Sequence, residues 1–316
     1  MLNGLVIKST GSWYDVKLDD GKVVPSRIIG KFKIKGLRTT NPVAVGDRVQ
    51  LIIEEGEEGT GLIKIIEKRE NYVARQSPRK KHEIHLLASN VDQVMVIVTI
   101  IEPMLKQGFI DRFLVMTEPF DIPATIVFNK SDLYGDDEMP IYLYLKELYE
   151  KIGYQVMLVS AEQKQGLEAL RAFLKDKNTL VSGQSGVGKS SLVNSLLPDL
   201  GLKTTILSDF SGKGQHTTTF AEMFELDFGG HIIDTPGIKT LSFNYLEPMD
   251  LAHNFREFFE ASENCKFGGS CLHRNEPQCA VKDAIEAEEI SDLRYANYMA
   301  LLDEIEEQNY WERRKT

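Results

Sequence analysis

Gly183-Gln184-Ser185-Gly186-Val187-Gly188-Lys189-Ser190 is a phosphate-binding loop of the pattern G-x-x-x-x-G-K-[ST]. It follows the strand-like Leu180-Val181 and opens a helix, which is the context that the motif requires. Its glycines let backbone N–H groups wrap phosphate oxygens, and the helix N-terminus adds positive potential. Lys189 is predicted to reach the β- and γ-phosphates and Ser190 to ligate Mg²⁺. Ser191, the next residue, is also predicted to contact the nucleotide.

A base-reading motif, Asn129-Lys130-Ser131-Asp132, lies upstream of the phosphate loop, directly after the predicted apolar strand Ala124–Phe128. The Asp132 carboxylate can accept two hydrogen bonds from the N1–H and exocyclic amine of guanine, which adenine does not offer. A site built on such paired bonds discriminates strongly, because the wrong base leaves buried groups unpaired. Ser160-Ala161 follows the next strand and fits a backbone contact to guanine O6. The alternative is an ordinary turn between a strand and a helix.

Downstream of the phosphate loop, Asp234-Thr235-Pro236-Gly237 follows the apolar pair Ile232-Ile233. Asp234 is predicted to hold Mg²⁺ through water, and the Gly237 N–H to sense the γ-phosphate. Between the two motifs lies a glycine-rich polar segment, residues 212–219, which is typical of a switch. Thr218 is the favoured Mg²⁺ ligand within it, and Thr217 and Thr219 remain alternatives.

The residue after Gly237 is Ile238, where many nucleotide hydrolases have a glutamine that orients the attacking water. An isoleucine cannot hydrogen-bond water, so we expect slow intrinsic hydrolysis. His216 is the nearby switch residue with suitable chemistry and is a candidate catalytic residue. The alternative is a histidine that caps a loop or touches a partner.

The order of these motifs is base, then phosphates, then magnesium, whereas an ordinary GTPase begins with the phosphate loop. The chain therefore looks like a circularly permuted GTPase that uses GTP, GDP and Mg²⁺. From residue 91 strands buried on both faces alternate with helices, which predicts a doubly wound α/β domain. The predicted fold class is multidomain α/β. Its domains are an OB-type β-barrel (1–70), a basic linker (71–90), the GTPase domain (91–248) and a helical zinc-binding domain (249–316).

Charge is unevenly distributed along the 316 residues. The chain has 37 Lys+Arg and 47 Asp+Glu and a net charge of −10, but residues 1–90 carry +5 and the rest −15. A basic front end is compatible with an RNA-facing domain, and uneven surface charge without a partner is the alternative. Basic residues cluster in a barrel loop and in the linker, and rings that could stack on bases lie in the barrel. These residues are Lys31, Lys33, Lys35, Arg38, Arg75, Arg79, Lys80, Lys81, His82, Trp13, Tyr14 and Phe32.

All three cysteines fall in one short segment, Cys265-x5-Cys271-x-His273-x5-Cys279. Three thiolates and one imidazole are the ligand set of a closed, tetrahedral structural zinc site. The odd cysteine count argues against a disulfide framework and fits a reducing cytosol. The N-terminus has no signal-peptide pattern, and the longest apolar run is too short for a membrane span. We therefore expect a cytoplasmic protein without a membrane partner, and nothing in the sequence demands more than a monomer.

Together these residues resemble the circularly permuted, small-ribosomal-subunit-dependent GTPases (the RsgA or YjeQ family), over essentially the whole chain. Five residues separate Cys265 and Cys271, where the family usually has four. The resemblance implies a late maturation factor of the 30S ribosomal subunit that binds 16S rRNA, hydrolyses GTP when stimulated by the subunit, and then leaves. The alternative is a nucleotide-gated RNA-binding regulator with incidental GTP turnover. A third reading, an ATP-specific protein, conflicts with Asp132.

Overall fold

The computed structural model describes residues 1–28, 39, 41–54, 59–76, 84–106, 108–197, 221–234 and 246–313, the side chains of 75–76 and 308–313 excepted. The strands are β1 (Leu2–Ser9), β2 (Tyr14–Leu18), β3 (Val23–Ile28), β4 (Arg48–Ile53), β5 (Gly61–Ile66), β6 (Tyr72–Gln76), β7 (Ile84–Ser89), β8 (Gln93–Val98), β9 (Ala124–Phe128), β10 (Gln155–Leu158), β11 (Asn178–Gly183), β12 (Ala221–Glu225) and β13 (His231–Asp234). The helices are α1 (Phe109–Thr117), α2 (Glu138–Lys151), α3 (Leu167–Leu174), α4 (Lys189–Leu196), α5 (Pro248–His253), α6 (Arg256–Ser262), α7 (Ala280–Glu286) and α8 (Asp292–Arg313).

Strands β1 to β5 form a closed barrel in the order β1-β2-β3-β5-β4, and pairing of β4 with β1 closes it. Alternate residues of these strands point inward, and Val6, Val16 and Leu51 are fully buried in the barrel core. The predicted OB-type barrel is thus confirmed. Tyr14 is a core residue, whereas Trp13 is exposed. The predicted basic loop and Phe32 lie outside the described residues.

The predicted GTPase domain is built on a sheet with the order β10-β9-β8-β11-β13-β12, in which the first five strands are parallel. Every residue of β8 and β9 is buried, because helices cover both faces of the sheet. The carboxyl ends of the parallel strands share one edge, so the loops after them converge there. Edge strand β12 pairs antiparallel with β13 and with β1, which joins the barrel to the same sheet.

The segment predicted to be a basic linker contains a β-hairpin, because β6 and β7 pair antiparallel. Apolar residues flank the basic stretch on both sides, and Val73, Leu86 and Ala88 are buried. The prediction of a basic linker rested on the charged residues and did not use these apolar ones. Residues 79–82 lie outside the described part of the chain. The domain boundaries remain predictions.

The C-terminal region is helical, as predicted, and α8 packs against α5 and against α1 of the GTPase domain. Helix α5 begins with a capping box, in which Glu247 and Asp250 each accept a hydrogen bond from the other's backbone N–H. Within the described ranges, every helix is too short or too polar to cross a membrane.

Candidate nucleotide and metal sites

The predicted phosphate loop connects the end of β11 to the start of α4. Gly188 has φ +88°, and a Cβ there would lie 2.6 Å from Asn129 Nδ2; a Cβ on Gly183 would lie 2.2 Å from the Ile97 carbonyl oxygen. Glycine is therefore required at both positions. Lys189 Nζ donates to the carbonyl oxygens of Gly183 and Gln184, each at 2.9 Å. The two glycines thus leave the backbone of the loop open to phosphate oxygens, and Lys189 supplies an ammonium group beside them. Both features fit a phosphate chain.

Asn129 joins the base-reading motif to the phosphate loop. Its side chain is buried, and Nδ2 donates to the Val187 carbonyl oxygen at 2.8 Å. Its Oδ1 accepts from the Ala161 N–H at 3.2 Å. One amide therefore brings together three segments that are separated in sequence but follow strands β9, β10 and β11 of the same sheet.

The Asp132 side chain lies at the same edge, where the Ser160 hydroxyl donates to Oδ1. The backbone supports this pair, because the Ser131 N–H donates to the Val159 carbonyl oxygen at 3.1 Å and the Gln163 N–H to Ser160 Oγ at 2.9 Å. Lys130 adopts a left-handed backbone conformation, and its Nζ donates to the Glu102 carbonyl oxygen at 2.5 Å. The four residues of the base-reading motif are thus held on one turn, and Asp132 is half-exposed beside it.

The predicted magnesium ligands Ser190 and Asp234 are both buried. Asp234 ends β13 beside Val181 of β11, and Ser190 lies in the first turn of α4. A hydroxyl and a carboxylate at one sheet edge beside the phosphate cradle are oxygen donors of the kind that Mg²⁺ prefers. Thr218, His216 and Gly237 lie outside the described residues, so their roles stay predictions.

The predicted zinc ligands converge on one point of the C-terminal region. The three Sγ atoms and a ring nitrogen of His273 lie within 4.8 Å of one another, and all four residues are buried. Cys271 Sγ and Cys279 Sγ are 3.9 Å apart, and His273 Nδ1 is 3.4 Å from Cys279 Sγ. Zn–S bonds of about 2.3 Å in a tetrahedron require sulfur atoms about 3.8 Å apart. The cluster therefore fits a zinc ion.

The cluster is supported by groups that the sequence did not reveal. Glu276 accepts hydrogen bonds from the backbone N–H groups of Leu272, Arg274 and Asn275 at 2.8–3.0 Å. Burial alone would raise the pKa of Glu276, but these backbone bonds outweigh it and lower the pKa. Burial also raises the pKa of the Cys271 thiol to about 12, so adjacent thiolates require a cation. The sequence signal that could have revealed this support was Glu276 itself, a carboxylate between the predicted ligands His273 and Cys279 that can accept hydrogen bonds from the backbone of the turn.

A phosphate cradle and a base-reading turn joined on one sheet, with the base-reading turn first in the chain, define a circularly permuted GTPase. The sequence model of the RsgA GTPase family matches residues 66–244, and that of the RsgA N-terminal domain matches residues 3–61. The chain belongs to the RsgA family of GTP hydrolases.

Curated relatives and solved structures agree with this membership. The chain is 48% identical to the small ribosomal subunit biogenesis GTPase RsgA of Bacteroides fragilis, over 98% of this chain and 99% of the relative. It is 47% identical to the RsgA of Christiangramia forsetii, over 98% of each chain. The crystal structure of YjeQ from Thermotoga maritima has a TM-score of 0.76 at 34% identity, covering 96% of this chain and 98% of that one. The structure of YloQ, a circularly permuted GTPase, has a TM-score of 0.72 at 32% identity, covering 98% of this chain and 96% of that one.

Proposed function

We propose that this chain binds the 30S ribosomal subunit through 16S rRNA, hydrolyses GTP to GDP and phosphate when stimulated by the subunit, and assists late maturation of the subunit in the cytoplasm. The nucleotide part of this proposal rests on the Asn129 side chain. Its Nδ2 donates to the Val187 carbonyl oxygen at 2.8 Å and so holds the base-reading turn against the phosphate loop. The subunit half is supported by relatives that share 48% identity and are named small ribosomal subunit biogenesis GTPases.

Guanine selection is assigned to Asp132, whose carboxylate accepts from the base, while Ser160 and Asn129 hold the turn. The phosphate chain is assigned to the loop of residues 183–191 and to Lys189, whose two carbonyl contacts keep the ammonium over the loop. Ser190 and Asp234 would hold Mg²⁺, which supplies charge stabilisation as phosphate is released. Thr218, Gly237 and His216 are proposed to complete the site from the two switch segments.

The zinc cluster is assigned a structural role, because its four protein ligands leave no position open for chemistry. It lies in the helical region that follows the second switch segment, at the opposite end of the chain from the barrel. Two binding arms that flank one nucleotide switch suit a large RNA surface, where weak contacts add through effective concentration. The chain is proposed to act as a monomer.

The decisive measurement is GTP hydrolysis by the purified chain alone, with 30S subunits, and with 50S subunits as the control. Stimulation by 30S subunits only is expected. GTP-dependent 30S binding without stimulation would instead favour the nucleotide-gated RNA-binding regulator, which Ile238 in place of a water-orienting glutamine keeps as the second candidate.

Base selection is tested separately. Asp132→Asn is expected to relax the preference for guanine over other bases, because an amide cannot accept both hydrogen bonds. Asp136→Asn, an exposed aspartate on the same connection, is the matched control. Unchanged guanine preference in Asp132→Asn would disprove the assignment.

A further inference from the structure

The hydroxyl of Tyr134 connects the base-reading turn to the loop that follows β8. It donates to the Asn129 carbonyl oxygen at 2.9 Å and accepts from the Ile100 N–H at 3.0 Å. Thr99 Oγ1 lies 3.5 Å from the same hydroxyl and itself donates to the Ile101 carbonyl oxygen at 2.7 Å. One phenol oxygen therefore bridges two main-chain segments about thirty residues apart, and its bond to the base-reading motif is made to the Asn129 main chain rather than to a side chain of that motif.

The loop in question, residues 99–106, lies against both nucleotide motifs. On one side Lys130 Nζ donates to the Glu102 carbonyl oxygen at 2.5 Å. On the other side Pro103 lies beside the phosphate loop, since a Cβ built on Gly186 would be 3.5 Å from Pro103 Cδ. The 99–106 loop is thus a wall shared by the base and phosphate halves of the site, and Tyr134 attaches the base-reading turn to it.

The Tyr134 ring is fixed and its hydroxyl stays protonated. The ring packs near Tyr142, with centroids 6.5 Å apart, and Tyr142 in turn packs edge-on to Phe128 of β9 at 5.3 Å. Burial raises the pKa of Tyr134 above its ordinary value of 10.0. The phenol therefore remains able both to donate and to accept at any physiological pH.

We infer that Tyr134 is a positioning residue for guanine, whose hydroxyl fixes the main chain of the base-reading turn against the 99–106 loop so that Asp132 meets the base in one orientation. This inference rests on the proposed function of the site. Tyr134 acts through Asn129 and the 99–106 loop rather than on the nucleotide, so its contribution falls on binding and base discrimination and not on the chemical step.

Tyr134→Phe removes one oxygen atom and keeps the ring, so it tests the hydroxyl alone. GDP affinity is expected to fall about five- to tenfold, the effect of losing a partly buried hydroxyl that makes two hydrogen bonds. The KM for GTP should rise by the same factor, with kcat within about twofold, because uniform binding is lost. The preference for GDP over IDP, which lacks the exocyclic amine, should also fall, because Asp132 is no longer held in one orientation.

Tyr154→Phe is the matched control. Its hydroxyl is a buried tyrosine group of the same domain and donates to Glu118 Oε1 at 2.9 Å, and Glu118 keeps a second partner, Arg256. This variant should bind GDP with wild-type affinity and discrimination. Thr99→Val perturbs the 99–106 loop at a second point, because it removes the hydrogen bond from Thr99 Oγ1 to the Ile101 carbonyl oxygen. About a two- to threefold loss of GDP affinity is expected from the loss of this one neutral hydrogen bond.

The outcomes separate the inference from the proposed function. Wild-type protein that binds GDP no better than ADP would overturn the proposed function, whatever the variants do. Guanine-selective wild-type protein with Tyr134→Phe unchanged, or with Tyr154→Phe weakened equally, would overturn the inference. If Tyr134→Phe does not fold by thermal melting, Thr99→Val decides: a loss of GDP affinity with unchanged kcat supports the inference, and wild-type behaviour overturns it.

Discussion

The two junctions that flank the GTPase domain are made of different groups. The barrel joins it by main-chain strand pairing with partly exposed ion pairs beside it: β1 pairs with β12 through Lys8↔Glu222 and Ser9↔Ala221, and the Lys8 and Lys17 side chains pair with Glu222 and Glu225. The barrel also contacts the β6–β7 hairpin, where the Ser89 N–H donates to the Val45 carbonyl oxygen at 2.9 Å. The C-terminal region joins it through side chains. Arg294 of α8 forms ion pairs of 2.6 Å with Asp111 of α1 and with Glu257 of α6.

The side-chain junction is buried and shared among several partners. Asp111 and Arg294 are 0% and 1% exposed, and Asp111 also accepts hydrogen bonds from Tyr149 and Asn297 at 2.6 Å each. Main-chain bonds survive most substitutions, because every residue except proline carries the same groups. A buried charge network depends on each member, since one missing partner leaves a desolvated charge. The C-terminal junction should therefore be the one that a single substitution breaks.

The largest effect is expected from the metal cluster that organises the region beyond that junction. Cys279→Ser should abolish stoichiometric zinc, and because structural zinc contributes about 10–16 kcal/mol in zinc-finger peptides, residues 249–313 should become open to proteolysis. GDP binding should persist, because its site lies on the GTPase sheet. Zinc content and limited proteolysis are the measurements. His253→Gln, which alters a nearby histidine bonded to the Gly269 carbonyl oxygen, is the control and should keep its zinc; equal zinc loss in both variants would contradict the ligand assignment.

The next effect concerns the buried ion pair itself. Arg294→Met leaves the buried Asp111 and the partly buried Glu257 without their cation, so the free energy of unfolding should fall by about 3–5 kcal/mol. Arg112→Met is the matched control, because Arg112 pairs with Glu304 across the same two helices with both side chains partly exposed. That change should cost about 0–1 kcal/mol. Urea unfolding measures both, and similar losses would mean that burial does not set the strength of this junction.

One position should break the main-chain junction as well. Gly46 has φ +90°, and a Cβ there would lie 2.0 Å from the Ser89 carbonyl oxygen. Gly46→Ala should cost about 1–3 kcal/mol for the backbone conformation alone, with the clash adding to it. Gly11→Ala separates the two causes, because Gly11 has φ +89° with nothing within 4 Å of a Cβ. If the two variants lose equal stability in urea, the close approach at Ser89 contributes nothing.

The contrast also explains what the sequence could predict. Strands that are buried on both faces appear in the sequence as continuous apolar runs, so β9 was predicted with its observed bounds. The zinc ligands and the phosphate loop are local patterns with fixed spacing, and the structure brings each set together. The roles of the individual site residues remain predictions. Thr218, His216 and Gly237 lie outside the described residues.

The missed features are those that depend on partners distant in the sequence. Asp111 and Arg294 are 183 residues apart, and no local pattern indicates that two charged residues will be buried together. In the sequence Tyr134 resembles any aromatic residue of a loop, and its role depends on the 99–106 loop, which lies beside it only in the folded chain. The β6–β7 hairpin was missed because its basic stretch concealed short apolar flanks. Helix α1 was also not predicted, although Ile110, Phe113 and Leu114 are buried along it.

A smaller effect is expected at the surface of the barrel junction. Lys8 Nζ and Glu222 Oε1 are 3.0 Å apart across the paired strands, with both side chains about one-third exposed. Lys8→Ala should cost at most about 1 kcal/mol, because solvent screens such pairs. The difference from wild type should vanish near 1 M salt, where the Debye length is about 3 Å. Lys22→Ala, an exposed lysine of the same barrel, is the control. A loss that persists at high salt would show that packing of the lysine stem, not charge, matters here.

The smallest effect is a pH dependence on the barrel side. His231 of β13 faces Glu225 and Lys17, and its Nδ1 lies 2.9 Å from Asn178 Oδ1. Burial lowers its pKa below the ordinary 6.5, and this outweighs the carboxylate of Glu225, which raises the pKa.

The unfolded chain therefore takes up the proton first as pH falls, so stability should decline from about pH 6.5 downward and be unaffected by this group above it. Thermal melting of wild type and His231→Gln from pH 8 to pH 5 should show a shallower decline in the variant, with His253→Gln as the control for loss of a histidine. Arg294 and Tyr149 add no slope in this range: burial raises the pKa of Tyr149, and Asp111 and Glu257 outweigh burial to raise that of Arg294. An unchanged slope in His231→Gln would place the pH response outside the barrel junction. A reduced slope would make the two junctions differ in pH response as well as in what holds them together.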